Sequence, residues 1–184
     1  MIAAFLRRFR QDRRGVILVE FALAMPVFVI MILGGVEVAR YVLLQQKLNG
    51  VASTMADLVA QTETLSEAEL TTLFTAVDFV AQPFELGANG VVIVSSVGAT
   101  NGDPPRINWQ RSGAGSLTAT SQIGAEGDTP NLPADFVIRD GESVIIAEVF
   151  FEFTPFIGEQ FVPPRQVYHR AMLRPRFGTL ETLG

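Results

Sequence analysis

A single carboxylate, Glu20, interrupts an apolar run of eighteen residues from Val16 to Leu33, and five arginines (Arg7, Arg8, Arg10, Arg13 and Arg14) precede that run. The junction reads Arg13-Arg14-Gly15-Val16-Ile17-Leu18-Val19-Glu20-Phe21. Two kinds of chemistry are open to it. Gly15 has no Cβ, so its backbone is open to close approach. Glu20 could form an ion pair, and it needs one. A charged side chain at the centre of a membrane helix costs about 2.5–3.5 kcal/mol, which some partner must offset.

The other reactive residue types offer less. His169 is the only histidine and there is no cysteine, so neither a zinc site nor thiol chemistry is supported. No Gly-x-Ser-x-Gly elbow occurs for a serine nucleophile. His169 reads as a strand-surface residue. Gly113-Ala114-Gly115 lacks the third glycine of a dinucleotide loop and the lysine of a phosphate loop, and reads as a turn. Glu126, Asp128 and Asp135 lack calcium-loop spacing and read as solvated loop carboxylates. Trp109 reads as a packed strand residue. Arg174-Pro175-Arg176 is a small basic cluster, either a surface edge or a docking point for an acidic partner. No catalysis, cofactor or metal is expected.

The elements that must carry the junction follow from length and pattern. Eighteen helical residues reach about 27 Å, and continuing through Val36 to Glu37 spans a hydrocarbon core of about 30 Å. The arginine flank predicts that the N-terminus stays cytoplasmic and that everything after about Gly35 lies outside the inner membrane. A removable secretory signal is the competing reading, with Ala22-Leu23-Ala24 as its cleavage site, but the apolar run continues well past it. After Gly15 the chain carries 9 Lys and Arg against 18 Asp and Glu, an acidic balance that argues against nucleic acid.

Beyond the span the helical period continues. Tyr41, Leu44, Leu48, Val51, Met55 and Leu58 recur at spacings of three and four, a narrow stripe of the kind helices use to pack together. One helix is therefore expected from about Val16 to Gln61, with Pro26 and Asn49-Gly50 as bends rather than ends. Ser66-Glu67-Ala68-Glu69 is a capping box that opens a second helix, whose apolar face is Leu70, Leu73, Phe74, Val77 and Ala81 and which Pro83 stops. Five strands are expected at Val91–Val97, Ile107–Arg111, Leu117–Ile123, Ser143–Phe153 and Gln166–Leu173. In the fourth, Ile145, Ala147, Val149, Phe151 and Phe153 share one face, and Glu148 and Glu152 mark the other. The expected class is α+β, a small antiparallel sheet packed on helix. The expected organisation is a basic leader (1–15), a transmembrane helix (16–37), its extension (38–61) and an α+β domain (62–184). Because a stripe this regular needs a partner, removing everything before about Thr62 should expose apolar surface.

Arg13-Arg14-Gly15, then Val19-Glu20-Phe21-Ala22-Leu23, then Pro26 resembles the start of a prepilin, in particular the TadE-like pseudopilins of the tight-adherence (Tad, or Flp) pilus. The resemblance runs over Arg13–Ala60 and is thinner at the Val144–Phe153 strand and the Met172–Arg176 tail. The chain is too short for the adhesion-type domain of the TadG-like relatives. The resemblance implies cleavage by a prepilin peptidase between Gly15 and Val16. It also implies a role for Glu20 and Phe21 in assembly and register, with Glu20 pairing with the new Val16 ammonium of a neighbouring subunit. The implied partners are the peptidase, major and other minor pilins, the inner-membrane assembly platform and the bilayer, with the domain in the periplasm. The other class that fits is an uncleaved single-pass membrane protein with a periplasmic partner-binding domain.

Overall fold

The structure, a computed structural model, describes residues 14–134, 136–156 and 163–184. Arg7, Arg8, Arg10 and Arg13, and Asp135, lie outside the described residues. Helix α1 spans Arg14–Ala60 and passes unbroken through Pro26 and Asn49-Gly50. Its chain divides between two compact units, one ending at Arg40 and the other running from Tyr41 to Gly184.

In the second unit, α2 (Glu67–Ala81) begins where the capping box demands. The Ser66 hydroxyl accepts from the Glu69 amide, and the Glu69 carboxylate accepts from the Ser66 amide. That hydrogen bonding holds the exposed Glu69 carboxyl below its usual range. Leu70, Phe74, Val77 and Ala81 are buried. A single turn, α3 (Leu86–Asn89), leads into the sheet strands β1 (Gly90–Gly98), β2 (Arg106–Gly113), β3 (Ser143–Phe153) and β4 (Arg165–Leu173). The order is β2-β1-β3-β4 and every pairing is antiparallel. The fold is α+β.

The main core lies between one face of this sheet and the helices. Leu44, Leu48, Val51, Met55 and Val59 of α1 join Leu70, Phe74 and Val77 of α2 against Val92, Val94, Trp109, Ile145, Ala147, Val149, Phe151 and Phe153. Gly113, at the end of β2, has no room for a side chain, because a Cβ there would sit 2.4 Å from the Phe74 ring.

Two expectations fail on the opposite face. Leu117–Ile123 is not a strand. It crosses that face as an irregular strap, with Leu117 and Ala119 packed near Val91, Ile93 and Phe150, and Ile123 packed among Val97, Ile107, Val144 and Ile146. Its backbone bonds at scattered points, Leu117 N–H to Gly90 O and Gln122 N–H to a Glu148 carboxylate oxygen, rather than along a ladder. The second correction follows from the first. Under the strap, Val144, Ile146 and Phe150 are buried, and Glu148 is fully buried rather than marking a solvent face. Glu152 does stand exposed.

Candidate functional site

From Gly15 to Val36 nearly the whole surface of α1 is apolar and exposed: Ile17 and Leu18 are about seven-tenths exposed, and Val16 and Phe21 just over half. The best 18-residue window has a mean hydropathy of 2.8, and none of it is buried. Among the described residues this is the one helix long and apolar enough to cross a membrane. Glu37 and Arg40, in a 3.1 Å ion pair at i,i+3, mark the end of the apolar run.

The junction residues stand on the first turns of this helix. A Cβ on Gly15 would meet nothing within 4 Å, so nothing among the described residues demands a glycine there. The Gly15–Val16 bond lies among the first described residues of α1, in helical backbone. Val16 and Glu20 are one turn apart and so share a face. Glu20 is exposed and has no hydrogen bond or ion pair among the described residues.

Residues 15–57 match the family model of TadE-like protein.

TadE-like proteins are associated with the Tad pilus, and the matched stretch is the one carrying Gly15, Glu20 and most of the α1 stripe. It covers less than a quarter of the 184-residue chain and none of the sheet. Neither the curated proteins nor the solved structures give a match.

The TadE-like segment thus joins two kinds of helix surface. Its first half is apolar all round, and its second half buries one side. Leu44, Leu48, Val51 and Met55 are completely buried in the main core, Tyr41 packs at its margin, and Leu58 is half-buried to one side. Ala52, Ala56 and Val59 fill the face beside them. The stripe meets the sheet and α2 within its own chain.

His169 does not lie on an open strand surface. It is half-buried and meets the Gln45 side-chain carbonyl of α1 through Nε2, while the Gln45 amide donates to the Tyr41 hydroxyl at 2.5 Å. Burial holds the His169 pKa below its usual value. Arg174 and Arg176 pair with Glu142 and Asp57, at 3.3 and 3.0 Å, so the basic cluster ties the C-terminal tail to the domain. Glu126 pairs with Arg111, which also pairs with Glu67. Trp109 is buried and donates to the Leu180 carbonyl at 2.8 Å.

The buried Glu148 cluster has no sequence signature. Its carboxylate accepts from the Ser121 hydroxyl, from the Gln122 amide at 3.0 Å and from the Tyr168 hydroxyl at 2.9 Å. Burial, then the Glu148 charge and hydrogen bond, push the Tyr168 phenol well above its usual range. Three donors on one carboxylate make this a latch that holds the strap onto the sheet.

Proposed function

We propose that this protein is a minor pilin or pseudopilin that takes part in assembly of a Tad (Flp) pilus, processed by prepilin peptidase between Gly15 and Val16. The observation that supports this most is the TadE-like match over residues 15–57, which begins at the glycine and contains Glu20 on an otherwise apolar, exposed helix. A Cβ at position 15 would meet none of the described residues, which suits a glycine required by an external protease. Cleavage removes the leader arginines and leaves an ammonium on Val16.

In this reading the Glu20 carboxylate pairs with the Val16 ammonium of a neighbouring subunit and sets axial register. Buried ion pairs are often near break-even in stability, so the gain is specificity of assembly. Major and other minor pilins and the inner-membrane assembly platform are the partners, and the second compact unit lies in the periplasm.

The test is the mature N-terminus, read by mass spectrometry of protein purified from membranes. Val16 as first residue supports the proposal, whereas an intact leader supports an uncleaved single-pass protein with a partner-binding domain. Gly15→Phe should block leader removal without preventing membrane insertion. Glu20→Ala should leave cleavage intact and reduce surface pili. Normal piliation with both changes would falsify the pilin-like role.

A further inference from the structure

The two edges of the sheet differ in how they end. At β2 the outer edge is covered: the Ile107 N–H donates to the Asp128 carbonyl, the Gly127 N–H donates to the Ile107 carbonyl, and the Gln110 N–H donates to a Glu126 carboxylate oxygen. β4 is the other edge, nine residues paired to β3 in an unbroken register. It contains no proline and no bulge, two devices that commonly protect an edge. Its arginines are drawn back onto the domain. The Arg165 guanidinium lies over the Tyr41 ring, 4.1 Å from its centroid, and Arg170 sits beside the Tyr168 hydroxyl.

Register fixes which backbone groups of β4 face outward, because bonding direction alternates along an antiparallel strand. Ala99, just after β1, donates its N–H to the Glu142 carbonyl and accepts from the Gly141 N–H, on the β3 side. Counting back, the odd-numbered residues of β1 bond to the even-numbered residues of β3. The odd-numbered residues of β3 therefore bond to β4, where their partners are the odd-numbered residues from Arg165 to Leu173. The N–H and carbonyl groups of Gln166, Tyr168, Arg170 and Met172 point away from the sheet. No backbone hydrogen bond among the described residues reaches them from that side.

We propose that this edge takes up an extended, carboxylate-bearing segment of a partner protein as a fifth strand. In this mode of recognition backbone hydrogen bonds supply affinity, and side chains at alternate positions supply selectivity. The charge of β4 decides the chemistry of the occupant. The strand carries Arg165, His169 and Arg170 and no carboxylate. Neither arginine is in an ion pair among the described residues. A guanidinium whose face rests on a ring keeps its N–H edge free to donate to a carboxylate. A second copy would instead bring the same basic strand against this one, like charge to like, which disfavours pairing. The proposal concerns the second unit alone and stands whether or not the chain is cleaved at Gly15.

The test places the full chain at one copy per lipid nanodisc and follows hydrogen exchange at single amides by NMR. Without a partner, the outward amides of Gln166, Tyr168, Arg170 and Met172 should exchange several-fold faster than the inward amides of Val167, His169 and Ala171. The probe is a peptide as long as β4 with alternating valine and glutamate, and its control alternates valine and lysine. The glutamate peptide should slow the four outward amides several-fold and leave the inward three unchanged, whereas the lysine peptide should do neither. Gln166→Pro removes one outward donor at an edge position, where proline is tolerated, and Arg165→Gln removes one charge. Each should weaken the glutamate peptide several-fold, while fluorescence of the single buried tryptophan, Trp109, checks that the variant is folded. Slow outward amides in the partner-free single copy would overturn the proposal, since the chain would then cover its own edge. So would slowing that appears only when several copies share a disc, or equal effects of the two peptides.

Discussion

At the scale of single residues, Glu148 sets the firmest expectation. It is fully buried, and three donors converge on it from the strap and from β4. Hydrogen bonds to a charged group are worth about 1.5–3 kcal/mol, and a buried donor left unpaired costs about 1–3 kcal/mol. Glu148→Ala should therefore destabilise the domain by roughly 3 kcal/mol or more. Glu148→Gln, which keeps the shape and one carbonyl acceptor, should cost less. Denaturant midpoints followed by Trp109 fluorescence measure both, and equal midpoints for wild type and Glu148→Ala would refute the latch. His169 gives a pH dependence with a definite sign. Its folded pKa is lowered by burial, so below the ordinary histidine range of about 6.5 the unfolded chain takes up the proton first. The contribution is present above that range and is lost as pH falls. The domain should be less stable at pH 5.5 than at pH 7.5, and His169→Gln should flatten that slope in the same unfolding measurement.

At the scale of elements, Gly113 and the stripe on α1 can be tested directly. Gly113→Ala would drive a methyl into the Phe74 ring, and overpacking of this kind costs about 1–3 kcal/mol. A fall in the denaturant midpoint of that size checks it. A fragment beginning at Tyr41 should fold, whereas one beginning at Thr62 should aggregate. The second loses Leu44, Leu48, Val51, Met55 and Val59, all completely buried. Each is worth about 1.5–3 kcal/mol, together comparable to the 5–15 kcal/mol that holds a whole domain folded. Gel filtration and cooperative unfolding of the two fragments decide it. These elements were legible in the sequence because their signals are local. The capping box starts α2, and a run of β-branched and aromatic residues makes β3. Leu117–Ile123 misled for the opposite reason: its apolar residues alternate like a strand's, but its backbone partners are distant single groups. Glu148 reads locally as the polar side of an alternating strand, and only the strap, which no short-range pattern announces, makes it a buried residue. The match over residues 15–57 begins at a junction whose pattern is local, while the contact of Arg165 with Tyr41 joins positions that only the folded chain brings together.

At the scale of the whole molecule, one described helix is long and apolar enough to cross a membrane, and the proposed function puts the second unit on the periplasmic side. A reporter active only in the periplasm, fused after Gly184, should be active, and cytoplasmic behaviour of that fusion would sink the topology. The place of α1 in the main core has a consequence in time. Gln45 and His169, which meet in the finished fold, are 124 residues apart in the chain. Synthesis at about 5–20 residues per second separates their appearance by roughly 6–25 s. Throughout that interval the buried face of α1 is already made and still bare, waiting for strands that have yet to emerge. The newborn chain thus passes through a window of stickiness whose length is set by the ribosome, and a holding chaperone would matter most for this protein before it is complete.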